Sequence, residues 1–475
     1  MNHLKKWKTS NRWIGYVVLI AVAGIWGCKD EGEAGPDNTD TGLGNPTDSD
    51  TGTVIPKWSI ETVQEESFGI QARMALGPND MLGMVWYANS YFQDGTCEEL
   101  DAGPAALLRQ RFYLGTKAKG AVAWTVEEVD DPAIAFEATG LSLAFSPAGD
   151  PAIAYTGGEP DSRYWCGGND AVLATRTQGQ WQFDAASTLS GDSQSGLVGS
   201  DEGMVVGLWP ALAFSASGDP AIVHKDAHFG SQQSIDDRKA DAEFAWRRGG
   251  SWIHEYIDAN EGAGEYNALV FDGDVPIAFY GIPVETNQDS RKGIWAARRA
   301  GDGTWTERVQ LHSGAFYKEI AAGINPVTGE LVAAFYSAAD NGVRVRRLAD
   351  LDQFADASAW TTEIATSAIY DEGQFVSLAF TPRGKEVLAY HRCRLNSATS
   401  DSCDQNDEAA MLAINENGTW KTEVIDEATY GSCGEYTSVV VDSTGVAHVV
   451  YRCTETDGDQ FYFRLLVAEK EIEAQ

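Results

Sequence analysis

The residues in this chain best suited to recognition chemistry are aromatic. Trp209, Tyr266, Phe375 and Tyr436 each stand just before a short alternating strand sequence, and Tyr91, Phe92, Tyr164 and Trp165 lie in longer connecting segments. Rings beside Asp, Arg and His suit a sugar or a peptide; the same rings also plug channels and pack loops. Arg163, Arg238, Arg392, Arg394 and Arg452 occupy similar segments. So do Asp161, Asp226 and Glu265, carboxylates that a glycosidase or lyase would need as a pair near one another. His224, Asp226 and His228 in VHKDAHFG offer two imidazoles and a carboxylate to a metal. His224 also belongs to a packing column, so neither metal nor other cofactor is expected. The chain has no G-x-S-x-G elbow, no H-E-x-x-H and no phosphate loop. A non-enzymatic binding module for a glycan or protein is the favoured expectation. An extracellular glycosidase or lyase and a structural subunit of an envelope complex are the alternatives.

Such residues need a scaffold, and the scaffold is written as a repeat. Each unit opens with an alternating strand, as in Ser142–Phe145, Ala211–Phe214, Ala268–Phe271 and Ser377–Phe380, followed by a tight Gly/Asp/Pro turn such as SPAGDP or SASGDP. The second strand ends in an aromatic residue or histidine: Trp86, Tyr155, His224, Phe279, Phe335, Tyr390 and Tyr451. A third strand often ends in Arg and a glycine turn, and the fourth begins with tryptophan. Trp58, Trp124, Trp181, Trp252, Trp305, Trp360 and Trp420 make seven, recurring about every 60 residues. Four short strands per unit at that period predict an all-β, seven-bladed β-propeller over 57–470, in which the tryptophans pack blade on blade.

The register predicts how the ring closes. Trp58-Ser-Ile-Glu-Thr-Val63 is a fourth-strand sequence that precedes any first strand, while the last unit has three strands and lacks its tryptophan strand. The segment at 57–63 is therefore expected to complete the C-terminal blade and remove both open edges. Long connections between second and third strands share one face with the connections between blades, and loops on a rigid scaffold commonly carry function. Cys97, Cys166, Cys393, Cys403, Cys433 and Cys453 all fall on that face. Pairs 97–166, 393–403 and 433–453 are expected, with 393–453 and 403–433 as the alternative.

The N-terminal 27 residues read as an export signal: Lys5, Lys6, Lys8 and Arg12 precede an apolar run ending at Cys28. Residues 28–56 are rich in Gly, Asp, Thr and Pro and lack aromatics, which predicts a disordered acidic tether; 471–475 read as a tail. The formal charge of −35 repels phosphate backbones, so nucleic acid is not an expected partner. Oxidised cysteines agree with an extracytoplasmic, envelope location, the outer membrane first, and the propeller is expected to be monomeric.

Two resemblances add to this. Ile25-Trp26-Gly27-Cys28 resembles the bacterial lipobox, which implies a lipid on Cys28 and attachment to a membrane. The D-x-G-x-P-x-I-A-Y core and G-x-W turn resemble the repeats of secreted bacterial propellers related to sialidases, over about 57–470. That resemblance implies the fold rather than an activity: Gly303-Thr304-Trp305 and Gly418-Thr419-Trp420 are one residue short of the sialidase Asp-box.

Overall fold

A computed structural model describes residues 57–473 apart from 66–68, 95–105, 133–139, 158–169, 188–204, 232–233, 260–261, 284–290, 317, 367–370, 394–407, 428–430 and 458–459. The expected export signal, Cys28 and the tether lie outside the described residues, as do Cys97, Cys166, Cys403, Tyr164, Trp165, Asp161, Arg163 and Arg394. So do the side chains of Tyr91, Phe92, His228 and Arg238. No described helix is long and apolar enough to cross a membrane.

The described chain forms 28 strands, β1 to β28 in chain order, gathered into seven four-stranded antiparallel sheets. Six sheets use consecutive strands, spanning 70–130, 141–187, 205–258, 265–312, 320–364 and 371–427. The seventh combines β26 (Gly431–Val441), β27 (Val446–Asp457) and β28 (Gln460–Glu471) with β1 (Ser59–Glu65). Ser59 pairs with Glu469 and Glu61 with Val467, so the early tryptophan segment closes the last blade as its sequence predicts. The innermost strands neighbour one another in sequence order, and the last neighbours the first. The ring is a seven-bladed β-propeller. β28 runs to Glu471, and Glu473 is buried where its carboxylate accepts from the Thr381 hydroxyl at 3.1 Å.

One register runs through every blade. Val85–Leu114–Glu127, Ala154–Leu173–Asp184 and Val223–Phe244–Glu255 are matched rows across strands two, three and four. The fourth-strand member of this row is acidic in six blades: Glu61, Glu127, Asp184, Glu255, Glu363 and Glu423. Each carboxylate turns to the next blade. Five meet a cation three residues along that blade's third strand: Lys117–Glu61 at 2.6 Å, Arg176–Glu127 at 3.2 Å, Arg247–Asp184 at 3.4 Å, Arg299–Glu255 at 2.6 Å and Lys470–Glu423 at 2.5 Å. The tryptophan of the next blade donates its indole N–H to three of the same acids, Trp124 to Glu61, Trp305 to Glu255 and Trp420 to Glu363. Three of the seven tryptophans therefore do more than fill space; each also binds its neighbour's carboxylate.

A second acid follows six residues after the tryptophan in three units. Asp130, Asp258 and Asp426 accept from the hydroxyls of Tyr155, Tyr280 and Tyr451 in the following blade at 2.5, 2.9 and 2.9 Å. These tyrosines are buried, so their hydroxyls require a partner. Here the expected aromatic column needs one correction. In blade four its member is Tyr280, because Phe279 pairs with Ala268 and belongs to the adjacent row. The long outer turn of blade five is built from two short 3-10 segments, Leu351–Gln353 and Ala357–Ala359, and buries Phe354 edge-on against Trp360.

Candidate functional site

Two residues before that row on each innermost strand, the backbone takes a left-handed turn. The positions are Gln71, Gly140, Trp209, Tyr266, Glu319, Phe375 and Tyr436, with φ of 56°, 109°, 47°, 50°, 84°, 56° and 55°. Each blade supplies one, so they form a ring at one mouth of the central channel. A left-handed φ on a residue with a Cβ costs on the order of 1 kcal/mol and persists only where the surroundings impose it. Here they do. Asn267 Nδ2 donates to the Trp209 carbonyl at 2.9 Å, and the Phe375 N–H donates to the Lys318 carbonyl at 3.1 Å. The Thr437 hydroxyl donates to the Phe375 carbonyl at 2.5 Å. Glycine is needed at 140, where a Cβ would come within 3.0 Å of the Trp209 Cα.

The structure thus brings together four of the expected site residues. Trp209 and Tyr266 have ring centroids 5.5 Å apart, and Phe375 and Tyr436 4.5 Å apart. Phe375 is buried, and the other three are partly exposed.

Between the two aromatic pairs lie charged groups, most of which the sequence did not single out. Lys318 sits with its Nζ 4.4 Å from the Phe375 ring centroid. Glu319 reaches across the mouth to Arg73 of blade one, 2.5 Å away. Glu435 pairs with Arg452, whose guanidinium lies 5.0 Å from the Tyr436 ring. His391 Nε2 is 2.9 Å from Glu408 Oε2, and Ser432 also donates to Glu408. Of these, only Arg452 was marked by its place in a loop. Glu319 stands where four other units carry an aromatic residue, with Lys318 beside it, and that break in the column is the signal for them.

Burial and neighbours set the protonation here. Burial pushes the Lys318 amine down, against the opposing pull of Glu435, Glu408 and Glu319. Burial, aided by Glu435 and Glu319, pushes the Tyr436 hydroxyl up to about 12. Burial would raise the Glu435 carboxyl, but Arg452, Lys318 and His391 outweigh it and hold the carboxyl below its ordinary value.

Other expected groups fall elsewhere. Glu265 is buried, 3.2 Å from the fully buried Lys225, whose Nζ lies 5.0 Å from the Trp209 ring. Asp226 is buried and pairs across strands with Asp241. Arg392 pairs with Glu427 at 2.5 Å. His224 is fully buried in the packing column, and burial pulls its imidazole down to about 3, so it is neutral. Among the described residues, the one set with metal-ligand spacing is Asp426, Cys433 and Cys453, and its two sulfurs are joined to each other.

Cys433 and Cys453 face each other directly across β26 and β27 and form a disulfide. This is the expected pair 433–453 rather than the alternative 393–453. Cys393 is also disulfide-bonded, and its expected partner, Cys403, lies outside the described residues, as does the pair 97–166.

No protein-family model matches the chain, and no curated protein matches it in sequence. Solved structures resemble it distantly. A protein of unknown function from Dyadobacter fermentans is 12% identical over 86% of this chain and 97% of that one, with a TM-score of 0.42. An ulvan lyase of polysaccharide lyase family 25 is 10% identical, covering 85% and 95%, at 0.45. The Trypanosoma rangeli sialidase, solved with sialic acid, is 11% identical, covering 85% and 54%, at 0.40. Similarities this distant carry no argument about activity. The seven closed sheets themselves identify the chain as a seven-bladed β-propeller, the fold expected from its repeat.

Proposed function

We propose that this chain is an envelope-tethered binding module, anchored through a lipid on Cys28, whose channel mouth receives a saccharide. The observation that carries the reading is the ring of left-handed positions: it presents Trp209, Tyr266 and Tyr436 around a mouth that the Arg73–Glu319 pair crosses. A crossed mouth is a cup with a floor rather than an open pore. Partly exposed aromatic faces stack on the C–H faces of sugars, while the surrounding carboxylates, guanidinia and hydroxyls bond sugar hydroxyls. The test is a saccharide-binding screen with the full chain in detergent. Trp209→Ala and Tyr436→Ala are each expected to weaken binding about tenfold or more, the loss of one stacking contact. A ligand bound with unchanged affinity by both variants would place recognition elsewhere.

A second reading, a lyase or glycosidase at the same cup, is favoured by one observation. Lys318, with its lowered amine, and Tyr436, with its raised hydroxyl, stand beside the His391–Glu408 pair in one cleft, and perturbed groups cluster where proton transfer occurs. Release of new reducing ends from a polysaccharide, abolished by Lys318→Met and by Tyr436→Phe, would establish it in place of simple binding.

A further inference from the structure

We propose that Lys318 is a carbonyl-capturing residue, whose amine at the channel mouth condenses with the aldehyde of a polyhydroxy compound to form an imine. The inference goes beyond both readings above, since an imine forms whether or not a longer saccharide occupies the cup. Six other lysines, Lys117, Lys119, Lys225, Lys385, Lys421 and Lys470, each lie within 4.0 Å of a carboxylate oxygen. A chain with 70 acidic and 35 basic side chains should pair its lysines in this way. Lys318 departs from the pattern. Among the described residues its amine has no hydrogen bond and no ion pair, and it sits 4.4 Å from the Phe375 ring centroid. The carboxylates that act on it are turned to other partners: Glu319 to Arg73, Glu435 to Arg452, and Glu408 to His391 and Ser432.

The backbone imposes this placement. Lys318 and Glu319 are consecutive left-handed residues, with φ of 47° and 84°, and the Lys318 carbonyl accepts from the Phe375 N–H at 3.1 Å. Two such residues in succession are strained, and strain of this kind persists where a site requires it. Around the same Phe375 ring stand Tyr436 and His391, with centroids 4.5 and 6.1 Å away. An aromatic face supports an ammonium less than a carboxylate does, and burial penalises its charge, so the amine is lowered and more of it is the neutral nucleophile. Its lone pair attacks the carbonyl carbon, and the carbonyl oxygen takes a proton to give a carbinolamine. That oxygen then leaves as water with both amine hydrogens, so the imine forms without oxidant or reductant. The imidazole and the phenol beside the ring are groups that relay such protons.

The test treats the full chain in detergent with D-glyceraldehyde and sodium cyanoborohydride, which fixes any imine as a stable amine, and maps the modified lysines by peptide mass. At neutral pH Lys318 is expected to be labelled about tenfold faster than the exposed Lys57, and to keep its lead as the pH is lowered. Lys318→Arg keeps the positive charge and is expected to lose the fast phase while Lys57 reacts as before. A second arm replaces glyceraldehyde by maltohexaose, with its alditol, which has no aldehyde, as the control. Labelling of Lys318 by maltohexaose assigns the imine to the reducing end of a sugar chain. Labelling by glyceraldehyde alone keeps the imine and assigns it to a small aldehyde. Labelling of Lys318 no faster than Lys57 in either arm would overturn the proposal, while leaving saccharide binding at the cup to its own screen. That comparison is made within the unaltered chain, so it stands even if the Lys318→Arg variant misfolds.

Discussion

Val309 and Leu348 occupy, where blade four meets blade five, the two positions that other junctions fill with a carboxylate and a cation. Val309 is the fourth-strand member of the row Phe279–Ala296–Val309, and Leu348 lies three residues along the third strand from its row member Val345. Both are buried in one apolar cluster. The repeat has changed both partners together, exchanging an ion pair for an apolar contact and leaving no lone charge.

That exchange gives a mutational test. Val309→Glu alone buries an unpaired carboxylate and is expected to cost about 3 kcal/mol of unfolding free energy in urea. Adding Leu348→Arg restores the arrangement of the other junctions and is expected to recover about half of the loss. A double variant no more stable than the single one would show that the two positions are not coupled.

The tyrosine–aspartate bonds between blades make a second prediction. Asp130→Ala leaves the buried Tyr155 hydroxyl without its acceptor and is expected to cost about 1–3 kcal/mol, whereas Tyr155→Phe, which removes the donor, should cost nearer 1. Chemical denaturation of the two variants reads the difference, and the reverse order would contradict the bond.

Stability should fall in acid through the junction of the first and last blades. The Lys119 amine and the Ser443 hydroxyl hold the Asp80 carboxyl down at about 2, against an ordinary value of 3.8. Asp80 belongs to blade one and Ser443 to the blade-seven turn, whose N–H it receives at 3.0 Å. A carboxyl lowered on folding contributes stability that is complete above the ordinary value and is lost as pH falls from there through about 2. Denaturation midpoints measured across that window should drop less steeply in Asp80→Asn than in the unaltered chain.

The Cys433–Cys453 bond should support both stability and the cup. It closes a segment with a sequence separation of 20, and the chain-entropy relation gives about 3 kcal/mol for such a loop. Glu435 and Arg452, which pair at the mouth, lie two residues and one residue from these cysteines. The Cys433→Ser, Cys453→Ser double variant is expected to melt lower and to bind its saccharide more weakly, in a combined melting and titration experiment. Unchanged binding would separate the cup from the bond beneath it.

The blade count, the closing strand and the aromatic half of the cup were legible because each recurs at a fixed place in a long repeat. A residue such as Trp209 or Tyr436 is placed by its distance from the strand that follows it, and local spacing is what a sequence displays directly. Phe279 misled because Tyr280 stands beside it, and only hydrogen-bonded register separates the two rows. The acid column was not legible as a repeat, and in blade four it is interrupted: the Trp-to-row spacing is one residue longer and Val309 stands in the row. Arg73 and Glu319 meet across the mouth from blades one and five. No periodicity relates them, so their pairing follows only once the ring has closed.

That closure also shapes how the protein must be made. Ser59 finds its hydrogen-bonding partner at Glu469, near the far end of the chain, so a nascent polypeptide emerging N-terminus first carries β1 unpaired until almost the last residue is available. Until then both flanks of the growing stack offer bare backbone to other chains, a period of exposure to aggregation that holdase chaperones exist to cover. Loss of residues 464–475 removes most of β28 and with it every residue that pairs with β1. A truncated product should therefore fail as a whole rather than survive as a smaller ring.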